Sequence, residues 1–174
     1  MAIKYGDGTD SDGGRVIRVE KEVSTTTAST SDSSASYSDV INIAITPQST
    51  SSKFLLIADL KLGFSNYRCA AFWKFVRTIS GDASYDLMIG DASSSRQVCT
   101  WGTEEPSDSN NAIYELHSTN GIYLDTPNTT TACSFKVMWK CTDETVYLNR
   151  TGADNDGIHY PRAASSLTVM EIAG

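Results

Sequence analysis

The side chains of this 174-residue chain best suited to hold a metal or move a proton are two histidines, His117 and His159, and four cysteines, Cys69, Cys99, Cys133 and Cys141. Neither histidine has a second ligand at the short spacing of a zinc site, so no metal site is expected. Serine is abundant, but no Gly-x-Ser-x-Gly elbow sets a hydroxyl beside a base. Glu104 and Glu105 are adjacent, and neighbours on an extended chain point to opposite faces, so they do not form the facing carboxylates of a glycosidase. Asp10-Ser11-Asp12-Gly13 and Asp154-Asn155-Asp156-Gly157 alternate oxygen ligands before a turn glycine, as calcium loops do. Both lack the distal bidentate Glu, and Asx turns account for them. The chain is therefore expected to be no enzyme and to carry no cofactor.

What remains is aromatic. Trp101, followed by Gly102 and a polar loop, and Tyr160, within Gly157-Ile158-His159-Tyr160-Pro161, stand at strand ends or in loops among polar residues. Rings so placed can stack on sugars while polar neighbours bind hydroxyls, which makes Trp101, Tyr160, His159 and Asp156 a candidate glycan-binding set. The alternative is that the rings cap the ends of the fold. Trp73 and Trp139 lie mid-strand in apolar surroundings and read as core or interface.

The elements that must position these side chains are strands. Lys53–Phe64 places Phe54, Leu56, Ala58, Leu60, Leu62 and Phe64 on one face and Asp59 and Lys61 on the other, the period of a half-buried strand. Similar runs cover Val16–Val23, Val40–Ile45, Arg68–Arg77, Tyr85–Ile89, Val98–Trp101, Ile113–His117, Gly121–Leu124, Ala132–Cys141, Thr145–Asn149 and Ser166–Ile172. Ser24–Ser36 contains only Ser, Thr, Ala and Asp and reads as a long surface connection. Asn120-Gly121 reads as a hairpin turn, and Cys141–Glu144 as a short turn between paired strands. About ten short strands with turn chemistry between them predict an all-β fold, an antiparallel β-sandwich of jelly-roll type. Residues 1–14 form an N-terminal arm whose sizeable apolar groups, Ile3 and Tyr5, suit an anchor; residues 15–174 form the sandwich.

Charge and cysteines narrow the partners. A net charge of −7 argues against a nucleic-acid binder, which needs clustered Lys and Arg. No run is long and apolar enough to insert in a membrane, and the start, Met1–Gly8, lacks a secretion-signal pattern, which predicts folding in a cytoplasm. Cys133 and Cys141, on one strand, would be separated by about 27 Å at strand rise and cannot pair. Cys69 and Cys99 remain geometrically able to pair, but without export all four cysteines are expected as thiols acting as small buried hydrophobes. Asn128-Thr129-Thr130 and Asn149-Arg150-Thr151 are then chance matches to glycosylation acceptors.

One strand asks for a partner. Arg68–Arg77 carries Cys69, Ala71, Trp73 and Phe75 on one side and Ala70, Phe72 and Val76 on the other, so both faces need cover. In a sandwich the other sheet covers one face. A second copy of the chain is expected to cover the other, with Phe72, Trp73, Phe75 and Val76 as interface candidates.

Several stretches, taken in order, carry a resemblance: Ile45-Thr46-Pro47 with Ser51–Ile57, then Leu124-Asp125-Thr126-Pro127-Asn128-Thr129-Thr130, Val146-Tyr147-Leu148-Asn149-Arg150, and Ser165–Ile172. Their joint order resembles a bacteriophage virion domain, common in marine phages, at the C-terminal end of tail fibres and related spike or head-fibre proteins. The resemblance covers roughly residues 15–174. It implies a homotrimeric jelly-roll knob, similar in outline to the C1q and tumour-necrosis-factor folds, displayed on a virion to touch the host surface. Its partners would be copies of itself, other capsid or tail proteins, and a host-surface glycan. A typical fibre has a long shaft before its knob, where this chain has only residues 1–14. A capsid-borne fibre or decoration protein, with Ile3 and Tyr5 gripping the shell, suits the chain equally. Assembly in the cytoplasm of an infected bacterium agrees with the missing leader. A free carbohydrate-binding module is the remaining reading.

Overall fold

The computed structural model describes residues 14–31, 36–104 and 112–174, and these are organised as strands. They are β1 (Val16–Ser24), β2 (Ala28–Ser31), β3 (Ser38–Ile45), β4 (Lys53–Phe64), β5 (Ala70–Ile79), β6 (Ser84–Leu87), β7 (Trp101–Glu104), β8 (His117–Asp125), β9 (Cys133–Thr142), β10 (Thr145–Leu148) and β11 (Ser165–Ile172), with a 3-10 turn at Ala112–Tyr114. The expected arm, with Ile3 and Tyr5, lies outside the described residues apart from Gly14, whose N–H donates to the Ala173 carbonyl at 2.8 Å.

Every named pairing is antiparallel, and the strands form two sheets. One holds β1, β11, β4 and β8, with β10 and β2 continuing the places of β11 and β1; the other holds β3, β9, β5 and β6, with β7 also on β5. Along the chain β1, β3, β4 and β5 alternate between sheets, and β8, β9 and β10 do so again. That is the strand order of a jelly roll, so the fold is an antiparallel β-sandwich.

The core follows from the two-residue period. Phe54, Leu56, Ala58, Leu60, Leu62 and Phe64 are all buried, facing Phe135, Val137, Trp73 and Phe75 of the other sheet. Each large side chain sealed there stabilises the fold by about 1.5–3 kcal/mol, and truncating one, as in Leu60→Ala, costs about 2–5 kcal/mol. All four cysteines are described and form no disulfide; Cys69, Cys133 and Cys141 are buried and Cys99 is half-buried.

Several sequence expectations are corrected. Asn120-Gly121 is no turn but lies mid-strand in β8, because a Cβ at Gly121 would sit 2.4 Å from Cη2 of Trp73. The glycine makes room for an indole reaching across from the opposite sheet. Ile113 and Tyr114 belong to the 3-10 turn rather than a strand, and the strand expected at Val98–Trp101 begins at Trp101. Ser24–Ser36 contains β2, whose backbone pairs with β10 although its side chains are mostly exposed; a ladder needs N–H and C=O groups, not apolar side chains. The Cys141–Glu144 turn, with Asp143 at φ 61°, joins strands of different sheets.

The cover over β5 is also corrected. Its inward residues, Trp73 and Phe75, are fully buried between the sheets and unavailable to a second copy. Val76, on the outward parity, is only 3% exposed within one chain, and Phe72 is half-buried. The chain supplies this cover itself. Gly102 lies against the Phe72 ring, with a built Cβ only 2.7 Å from it, and the Tyr37 ring sits 4.4 Å from Nζ of Lys74 while its hydroxyl donates to the Val98 carbonyl at 3.1 Å.

Candidate functional site

The longest excursion from the sheets among the described residues leaves at Asn149 and returns at Ser165. β10 and β11 both run antiparallel to β4, Leu148 opposite Leu62 and Ser166 opposite Asp59. They are two halves of one strand position, and the segment between them is extruded as a loop. Close backbone approach fixes its root. A Cβ at Gly63 would lie 2.2 Å from the Arg150 carbonyl oxygen, and one at Gly152 would lie 1.9 Å from that of Phe64. Arg150 bridges to Arg162, and its guanidinium stacks 3.6 Å from the Tyr147 ring centroid. The Ala153 N–H donates to the Ile113 carbonyl at 2.8 Å, which ties the loop to the 3-10 turn.

That tie brings two aromatics together at the tip. The rings of Tyr114 and Tyr160 lie 5.8 Å apart at 55°, and with His159 they line a shallow hollow of about 430 Å³. Tyr160 also borders a polar hollow of about 310 Å³ formed with Asp154, Asn155, Asp156, Gly157 and Arg162. Asn155 Nδ2 donates to the Tyr160 hydroxyl at 3.3 Å, and Arg162 donates to both carboxylate oxygens of Asp154 at 2.6 and 2.7 Å. Asp156 and His159 are exposed, and Ile158 is 95% exposed. An apolar ring face beside amide and carboxylate groups is the arrangement a sugar ring or a polar peptide can use.

The structure thus brings together Tyr160, His159 and Asp156 of the candidate set. Trp101 is elsewhere: it is half-buried, packs against the core, and pairs in register with Trp73. The residue that sequence reasoning missed is Tyr114. An apolar position in an expected strand hid it, and only the bond to Ala153 reveals its neighbour. Among the described residues no group of three or more His, Cys, Asp or Glu could hold a metal ion.

The residues that carry the sequence resemblance have another role. Asp125 is 4% exposed and receives Arg77 Nη1 on both oxygens, at 2.8 and 2.7 Å, joining β8 to β5. Glu171 is fully buried, accepting from Arg18 at 2.9 Å and from the Gln48 N–H at 2.6 Å. Asn149 is fully buried at the loop root, so the acceptor pattern at Asn149-Arg150-Thr151 is closed to modification in the folded chain.

No family model matches this chain, and no curated protein does. Solved structures similar to it include the crystal structure of the infectious bursal disease virus VP2 subviral particle, at a TM-score of 0.37 and 10% identity over 90% of this chain and 42% of that one. The structure of the infectious bursal disease virus Gx strain gives a TM-score of 0.36 and 10% identity over 91% and 43%. The chain spans about two fifths of the length of those two chains.

Proposed function

We propose that this chain is a non-enzymatic structural protein of a phage virion, a fibre or spike knob that assembles with copies of itself and offers the Tyr114, His159 and Tyr160 hollow to a host-surface glycan. The reading rests on one observation: Asp125, Asn149 and Glu171, which lie in the stretches resembling phage fibre knobs, are among the buried polar residues and tie together separate strands of this jelly roll. Resemblance and scaffold therefore report on the same residues. Asp156 and Asn155 beside Tyr160 supply the hydroxyl-binding partners that a sugar stacked on the ring requires. Trp101 drops out of the contact surface and serves the core.

Labelling intact particles with antibody to this chain and imaging them by electron microscopy tests the virion role; particles that never carry label overturn it. Competition of host adsorption by the purified protein tests the contact role. Tyr160→Ala with Tyr114→Ala should abolish competition while leaving the fold intact, and undiminished competition would remove the hollow as the contact surface. Label on the capsid without any competition would favour a decoration protein.

A further inference from the structure

The outward face of the second sheet carries more ammonium groups than it has partners for. Register between β5 and β9 sets Phe72 opposite Lys140, Lys74 opposite Met138 and Val76 opposite Lys136. Lys74, Lys136 and Lys140 therefore share the parity that points away from the core. Lys136 donates to Asp39 at 2.8 Å and Lys74 donates to Asp86 at 2.7 Å, so both carboxylates are committed. Lys140 has neither a carboxylate nor a hydrogen-bond acceptor among the described residues, although it is only 7% exposed.

What it has is an aromatic neighbour. Nζ of Lys140 lies 5.1 Å from the centre of the Tyr37 ring, and Nζ of Lys74 lies 4.4 Å from the same centre. A cation–π contact returns less than an ammonium loses on leaving water, and a ring shared by two ammoniums returns less again. The titratable groups beside them are uncharged near neutral pH. Burial pushes the Tyr37 phenol up to about 12, and it pushes the Cys99 thiol above its ordinary value even though Lys140 draws that thiol down. In a chain of net charge −7, one buried lysine is thus left without a counter-charge.

We propose that Lys140 and Lys74, beside the Tyr37 ring, form a binding site for a small oxyanion, a sulfate or phosphate group. Chemistry selects that class. A lysine ammonium acts as a point charge whose N–H donors suit a tetrahedral oxyanion, whereas a planar carboxylate is matched best by the fork of an arginine. Lys74 can share its ammonium between the oxyanion and Asp86, whose side chain is 41% exposed. The site is held in advance of binding, because the Tyr37 hydroxyl donates to the Val98 carbonyl at 3.1 Å and pins the ring against both lysines. It shares no residue with the Tyr114, His159 and Tyr160 hollow and does not rest on the virion reading. A free ion and a sulfated sugar would present the same group to it.

The test is titration calorimetry of the full chain with sodium sulfate, sodium phosphate and glucose sulfate, with sodium chloride holding ionic strength constant. Wild type should bind saturably, one oxyanion per chain. Lys140→Met keeps the apolar stem, removes the ammonium and should weaken binding about tenfold or more. Lys136→Gln, which removes a lysine already paired, should bind as wild type does. Tighter binding of glucose sulfate than of sulfate would name a glycan as the source, and equal affinity a free ion; both support the site. No saturable binding of any of these probes by wild type overturns the proposal, as does Lys140→Met binding like wild type. Urea midpoints give an independent readout. Sulfate stabilises folded proteins generally by exclusion, so only the excess gained by wild type over Lys140→Met reports on the site. Circular dichroism confirms folding, and Lys140→Gln replaces Lys140→Met if that variant is unfolded.

Discussion

Ser165 donates its hydroxyl hydrogen to Oδ1 of Asn149 at 2.6 Å, and neither residue is exposed to solvent. Between them the strand position beside β4 is interrupted by the extruded loop. The Asn149 amide Nδ2 donates to the carbonyls of Ser24 and Thr26 at 2.8 and 2.9 Å, and its backbone N–H donates to Lys61 at 2.8 Å. One side chain thus holds the break between β1 and β2 and the break between β10 and β11. It does so at φ 62°, a left-handed conformation that asparagine tolerates better than most residues.

Asn149→Ala should therefore lower stability by about 3–5 kcal/mol, combining left-handed strain of about 1–2 kcal/mol with buried groups left unsatisfied at about 1–3 kcal/mol each. Asn149→Gly should lose about 1 kcal/mol less, since glycine adopts that φ freely. Urea denaturation of the three proteins measures both; a loss under about 1 kcal/mol for the alanine variant would remove Asn149 as the tie.

Gly121 and Trp73 are coupled by space. An added Cβ would meet Trp73 Cη2 at 2.4 Å and Phe75 Cε2 at 3.0 Å, while the indole N–H donates to Thr119 Oγ1 at 2.9 Å and cannot swing away without losing that bond. Gly121→Ala should cost about 1–3 kcal/mol from overpacking. Combined with Trp73→Phe, the two losses should fall short of additivity by about 1 kcal/mol in a double-mutant cycle. Strict additivity would contradict the steric account.

Arg77 and Asp125 form an ion pair at 2.7 Å with side chains only 13% and 5% exposed. Arg77→Ala strands a buried carboxylate and should cost about 3–5 kcal/mol. Replacing both, as Arg77→Met with Asp125→Leu, should cost clearly less, because an apolar pair carries no desolvation penalty. Chemical denaturation decides; a double variant as unstable as the single would mean that the pair contributes more than it costs to bury.

Burial pushes the Tyr37 phenol up to about 12, with the nearby Cys99 and Asp86 adding to the shift. The folded state then holds a proton that the unfolded chain, with a tyrosine pKa of about 10, releases. Stability from this source is fully present below pH about 10 and falls as pH rises towards 12. Urea midpoints at pH 9, 10 and 11 should decline less steeply for Tyr37→Phe than for wild type. Equal slopes would rule Tyr37 out as the cause.

The β4 period alone located the longest core strand, and the alternations in β3, β9 and β11 were readable because burial on one face imposes a period of two on side-chain polarity. Sequence alone therefore determined an all-β sandwich. It also marked Tyr160, His159 and Asp156 as a cluster, because they are neighbours in the chain. Tertiary structure alone decided which apolar surplus is exposed. Both faces of β5 are apolar, yet Tyr37 and Gly102 return from distant positions to cover the outer one. The outward positions of β4, β8, β11 and β1 each look ordinary alone, and they become a patch only when register sets them side by side. Gly121 reads locally as a turn, and only the indole arriving from the other sheet explains it. The physical reason is common to these cases: polarity along a strand records whether a side chain is covered, while what covers it depends on residues far away in the chain.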